Sequence, residues 1–171
     1  MESSEQIWRA CFDELAPKLV LFARQWVASM AEAEDVVQVA FVKFWRHRPG
    51  ANREHYPLLY AAVRTCALDV VRGHGRRARR EADPRALILR EDEPFFDRSI
   101  EERERAEAIE DALRALPEAQ REVLVLKIWG ELTFTEIAVA LGESGNTVAS
   151  RYRYAVEALR RTMKASEYER I

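Results

Sequence analysis

In this 171-residue chain the side chains best placed to do chemistry are arginines, and the chemistry they suit is the binding of phosphates and bases. Six lie between Arg64 and Arg80, at positions 64, 72, 76, 77, 79 and 80, against one acid, Asp69. From Ser144 to Lys164 come Arg151, Arg153, Arg160, Arg161 and Lys164, against Glu157 alone. A guanidinium carries its N–H donors in a planar fork that matches phosphate oxygens and the edge of guanine. Asn146, Thr147 and Ser150 add small hydrogen-bonding side chains beside the second group. The alternative for either block is a solvated basic face. Catalytic constellations are missing: His47, His55 and His74 are scattered, and no glycine-rich phosphate loop is present. Cys11 and Cys66 stand among apolar residues with no Cys or His at ligand spacing. They read as buried free thiols, and neither a metal nor a cofactor is expected.

The second basic group lies in "TFTEIAVALGESGNTVASRYRYAVEALRR", Thr133 to Arg161. Two helices can cross closely at a tight turn when the first offers a small residue, the turn offers glycine, and the second packs back through an early apolar side chain. Ala138, Gly142 and Val148 meet these needs, with Ile137 and Leu141 on the buried side and Ser144 as N-cap. Val148, Tyr152, Ala155 and Leu159 form the inward stripe of the second helix. Its N-terminal residues Asn146, Thr147, Ser150, Arg151 and Arg153 are left to meet bases or phosphates. The turn and the basic surface coincide, which favours DNA over a plain amphipathic hairpin.

These segments must be positioned by helices. Hydrophobic residues make up 48% of the chain and charged residues 33%, the net charge is −2, and Ala, Leu, Glu and Arg dominate long stretches. This composition predicts an all-α protein. Trp8, Phe12, Leu15, Leu19, Phe22 and Trp26 form a helical stripe, with Pro17 predicting a kink or a break into two helices. A second helix is expected from about Glu32 to His47, with Ala33, Val36, Val37, Ala40, Phe41 and Phe44 facing the core. Its other face mixes Asp35, Gln38 and Arg46 with Val39 and Val42, Trp45 standing at the edge. That mixture suits a protein partner, or else packing against the first helix. "RHRPGANREHYP" reads as a loop, and Pro57 opens the helix "PLLYAAVRTCALDVVRG". From Glu91 to Asp111 ten acids face three arginines. Residues 81–105 read as a flexible acidic linker between two small helical domains, 1–80 and 106–164, and residues 165–171 as a short tail. "MESSEQIWRA" is no secretion signal and no run is long enough to span a bilayer, so a cytoplasmic chain is expected.

Three segments together carry a family likeness: "AEDVVQVAFVKFW", "LLYAAVRTCALDVVRGHGRR" and "ALRALPEAQREVLVLKIWGELTFTEIAVALGESGNTVASRYRYAVEALRR". The chain resembles the extracytoplasmic-function sigma factors of bacterial RNA polymerase, small two-domain members of the sigma-70 class. The resemblance implies a polymerase-docking face at Asp35, Gln38, Val39, Val42 and Trp45. It implies opening of the promoter −10 element, with capture of a flipped base, by His55, Tyr56, Tyr60, Arg64, Thr65, Arg72, Arg76 and Arg77. It implies −35 recognition by Asn146, Thr147, Ser150, Arg151 and Arg153. Core RNA polymerase and promoter DNA are the implied partners, with an anti-sigma protein as a further one and a monomer as the free form. Leu58 and Thr65 stand where the family has Trp and Asn, so the base preferred at −10 stays open. Glu143 replaces an apolar turn residue, which predicts a slightly looser hairpin.

The rival readings are a ligand-sensing or dimeric helix-turn-helix regulator, an enzyme on a helical bundle, and an interaction adaptor. Initiation with core polymerase separates the first from a sigma factor. The second lacks a catalytic constellation, and the third leaves the basic recognition helix unexplained.

Overall fold

Leu15, Leu19 and Phe22 recur on one face of a helix, and in the computed structural model that face is buried. The structure describes residues 4–81 and 108–168, with side chains for 5–76 and 108–164. The linker at 81–105 therefore lies, beyond Glu81, outside the described residues. These residues fall into two compact units and contain helices without a strand. The first unit holds α1 (Ser4–Ala23), α2 (Met30–His47), a 3₁₀ turn (Arg53–His55) and α3 (Tyr56–Glu81). The second holds α4, helical over 108–114, then α5 (Glu118–Ile128), α6 (Phe134–Leu141) and α7 (Gly145–Tyr168).

In the first unit the three long helices pack pairwise. All six core positions expected on α2 are buried. They meet Leu15, Leu19 and Phe22 of α1 and Leu59, Val63 and Ala67 of α3. Fully burying one such leucine or phenylalanine contributes about 1.5–3 kcal/mol. Phe41 receives the edges of Trp8 and Phe12, at centroid distances of 5.5 and 5.0 Å. Of the two outcomes expected at Pro17, a kink or a break, the break does not occur: α1 runs unbroken from Ser4 to Ala23. Proline forfeits one backbone bond to the preceding turn, and the buried stripe on both sides of it outweighs that loss.

The corner between α1 and α2 is built from polar side chains. Arg24, 5% exposed, donates to the carbonyls of Val27 and Ala28. Ser29 caps α2 by accepting from the Glu32 amide at 3.1 Å. Glu32 Oε2 accepts in return from the amides of Ala28 and Ser29, at 3.2 and 3.4 Å. This closes a capping box, which occupies amides that the helix itself cannot pair. Glu32 Oε1 also reaches His74 Nε2 of α3 at 3.4 Å.

In the second unit α5, α6 and α7 enclose Leu124, Leu126, Ile137, Val148 and Ala155. The turn from α5 to α6 is tight: a Cβ on Gly130 would lie 2.6 Å from the Leu126 carbonyl oxygen. Glu131 follows at φ 56°, left-handed backbone that L side chains rarely adopt. Thr133 then opens α6 with a second capping box, its hydroxyl accepting from the Glu136 amide while Glu136 accepts from the Thr133 amide at 2.7 Å.

Candidate nucleic-acid interface

The hairpin of α6 and α7 turns on Gly142, which adopts φ 67° and ψ 35°. The amides of Gly142 and Glu143 both bond the Ala138 carbonyl, closing the end of α6. Ser144 then starts α7 by accepting from the Thr147 amide at 3.1 Å, as its residue type predicts. Val148 is fully buried and packs the second helix back.

Of the five side chains expected to face DNA, Asn146 and Arg153 are exposed, and Thr147, Ser150 and Arg151 are half-buried. All five stand in the first turns of α7, where helical rotation gives neighbouring faces to Asn146, Ser150 and Arg153 and to Thr147 and Arg151. Two of them are already engaged. The Thr147 hydroxyl lies 2.9 Å from Ser144 Oγ, and Arg151 Nη2 donates to Glu143 Oε1 at 2.9 Å. The Arg153 guanidinium stacks over Tyr154, 5.1 Å from the ring centre. The looser hairpin expected from Glu143 is corrected by this geometry: its carboxylate ties the turn to the second turn of α7. Sequence spacing could not reveal the pair, since eight residues across a turn belong to no helical period.

On α2, Asp35, Gln38, Val39 and Val42 are exposed and Trp45 is half-buried, its ring stacked on Phe41 at 6.4 Å. Val39 keeps 47% of its surface and Val42 keeps 41%. Packing of this face against α1 is thereby excluded, and within its unit it faces outward. Beside it a groove of about 470 Å³ runs between α2 and α3, with Glu32, Asp35, Lys43, Asp69 and His74 among its polar lining and Val36, Val39 and Val70 among its apolar lining. Cys66 opens into this groove half-buried, where burial was expected, while Cys11 is buried. Burial pushes both thiols above their ordinary pKa.

The third group is the most altered. Tyr60 is 1% exposed and packs edge-on against Phe22 at 5.4 Å, so no base can stack on it without opening the core. The signal was present, because Tyr60, Val63 and Ala67 follow one helical face. Tyr56 is half-buried and its hydroxyl reaches Glu14 Oε2 at 3.5 Å; burial first, then a hydrogen bond with Cys11, raises its pKa. The His55 ring braces the 3₁₀ turn, with Nδ1 2.7 Å from Asn52 Oδ1. Thr65 donates to the Ala61 carbonyl at 3.0 Å and stays exposed. Thr65, Arg72 and Arg76 share an exposed face of α3, beside the half-buried Arg64. Arg72 pairs with Asp69 at 3.3 Å, an exposed pair of little strength that a phosphate could displace. The Arg77 side chain lies outside the described residues.

An outward apolar–acidic face on one helical unit and a basic helix-turn-helix on the other form a combination found in known proteins. A profile described as Sigma-70 region 2 matches residues 11–77, and one described as Sigma-70, region 4 matches residues 106–159. The ECF RNA polymerase sigma factor SigL of Mycobacterium tuberculosis is 29% identical, over 92% of this chain and 89% of its own. The ECF RNA polymerase sigma factor RpoE of Cereibacter sphaeroides is 27% identical, over 93% of this chain and 87% of its own. Among solved structures, the sigma factor RpoE in complex with the anti-sigma factor NepR, from Bartonella quintana, aligns with a TM-score of 0.69 at 20% identity. That alignment covers 93% of this chain and 98% of the other, and it shows the shared fold. The chain belongs to the sigma-70 family, in its extracytoplasmic-function class. Its function is that of a sigma factor, directing promoter-specific initiation of transcription.

Proposed function

We propose that this function is divided between the units: residues 1–80 bind core RNA polymerase and open the −10 element, and residues 106–164 read the −35 element. Residues 81–105 connect them, and 165–171 form a tail. The observation that carries this reading is the glycine-turned hairpin that presents Asn146, Thr147, Ser150, Arg151 and Arg153 at the start of α7. The exposed face of Asp35, Gln38, Val39 and Val42, with Trp45 at its edge, supplies the polymerase contact. Thr65, Arg64, Arg72 and Arg76 track the opened strand, with Arg77 continuing their run, and His55 and Tyr56 sit at the end of α3 where a flipped base is held.

In this mechanism the chain catalyses nothing and works as a monomer in the cytoplasm. It adds affinity for two DNA elements to an enzyme that has the chemistry. A captured base offsets about 1–3 kcal/mol of the cost of strand opening by stacking. Among the described residues no helix is long and apolar enough to cross a membrane. An anti-sigma protein is a further proposed partner, supported by the complex of the Bartonella quintana relative.

Run-off transcription with purified core polymerase tests the reading. The chain is expected to permit initiation from a defined set of promoters. A chain that binds DNA but never supports initiation would be a regulator instead.

A further inference from the structure

The pair Glu143–Arg151 has features that an ordinary surface ion pair lacks. Its side chains retain 35% and 27% of their surface, so the charges meet partly out of water. Glu143 is held at its backbone, since its amide bonds the Ala138 carbonyl at 3.0 Å in the closed end of α6. The carboxylate is thus delivered by the turn itself, and it grips the guanidinium of one residue in the row at the start of α7. A free arginine samples many rotamers and must be ordered on binding, which costs affinity. A guanidinium has five N–H donors, and a paired contact with guanine O6 and N7 needs two. One donor given to Glu143 leaves enough for that contact.

We propose that Glu143 is a positioning residue for Arg151, holding its guanidinium for a paired contact with a guanine edge and thereby setting base preference within the −35 element. The carboxylate has a second effect. It neutralises Arg151 toward the phosphate backbone, so this arginine contributes to sequence reading more than to general attraction. Removing the carboxylate converts a base reader into a phosphate binder. The inference rests on the reading that α7 contacts the −35 element.

The test uses the full chain with core polymerase and a promoter library randomised at −35 with the −10 element held constant. Glu143→Ala is expected to reduce discrimination at one −35 base pair by about tenfold. Its promoter affinity is expected to fall more steeply with salt, by about one further unit in the logarithmic slope, as Arg151 moves to a phosphate. Glu143→Gln keeps an acceptor oxygen and restores most of the discrimination. Glu143→Ala in an Arg151→Ala background adds nothing, since the residue acts through Arg151. Three results overturn the proposal. Glu143→Ala can leave −35 preference unchanged while Arg151→Ala alters it, which removes the positioning role alone. Arg151→Ala can leave the −35 preference intact, which removes the reading of α7 on which the proposal rests. A loss in Glu143→Ala that Gln does not restore, with a lowered melting temperature, also overturns it, by making Glu143 a structural link of the hairpin.

Discussion

Tyr60 lies edge-on against Phe22, with ring centres 5.4 Å apart, and the two hold α3 to α1. An aromatic beside an arginine-rich helix invites a role in base stacking, yet this ring belongs to the core. Tyr60→Ala is therefore expected to destabilise the first unit by about 3–5 kcal/mol, read by denaturant titration. Tyr60→Leu, which keeps much of the apolar volume, is expected to open promoter DNA normally once folded. A well-folded Leu variant with a specific defect in strand opening would return Tyr60 to the DNA interface.

The outward face of α2 gives the opposite pattern. Val39 and Val42 are exposed, so replacing both with serine is expected to shift stability by no more than about 0.5 kcal/mol. The same double variant is expected to weaken association with core polymerase by about tenfold or more, because apolar anchors at an interface lose their pocket. Asp35→Ala with Gln38→Ala should act in the same direction. Competition for core polymerase against the unaltered chain measures both. Equal competition by all variants would move the docking surface elsewhere.

The turn between α5 and α6 carries strain at a residue that glycine would relieve. Glu131 holds φ 56°, and a left-handed non-glycine backbone costs about 1–2 kcal/mol. Glu131→Gly is expected to raise the melting temperature of the second unit, less whatever its side-chain contacts contribute. Gly130→Ala should lower it, since its new Cβ would meet the Leu126 carbonyl oxygen at 2.6 Å. A Gly130→Ala chain as stable as its parent would mean the turn can relax.

Thiol chemistry supplies a dependence on pH. Burial raises the pKa of Cys66, so alkylation in the folded chain should need higher pH than for a free thiol, whose pKa is about 8.5. The sign for stability follows: a thiol kept protonated in the folded state contributes in full below the unfolded pKa. That contribution is lost as pH rises through the folded value. Cys11, deeper and also raised, should label more slowly than Cys66. Faster labelling at Cys11 would contradict its burial beside Tyr56.

Much of this was legible in sequence because helical periodicity reports burial directly. The six core positions of α2, the turn at Gly142 and the cap at Ser144 all follow from residue type and spacing. The misreadings have separate physical causes. Of the two outcomes expected at Pro17, the break fails because the sequence shows the lost amide but not the packing that compensates for it. The family resemblance assigns Tyr60 to DNA, although its spacing with Val63 and Ala67 places it inside. Pairs such as Glu143–Arg151 and Glu32–His74 depend on how turns and bundles fold back, and no period encodes that.

Glu32 joins three parts of the first unit through one carboxylate: the corner at Ala28 and Ser29, the start of α2, and His74 on α3. It also lines the groove beside the exposed face of Asp35 and Val39. For a geneticist this makes Glu32 a deceptive locus. An allele changed there would score as defective in polymerase binding and in promoter opening alike, and suppressors would arise at His74 or Ser29 rather than in any partner. Lesions that mimic two functions at once mark the joints of this scaffold, and they should be set apart before any interface is mapped by mutation.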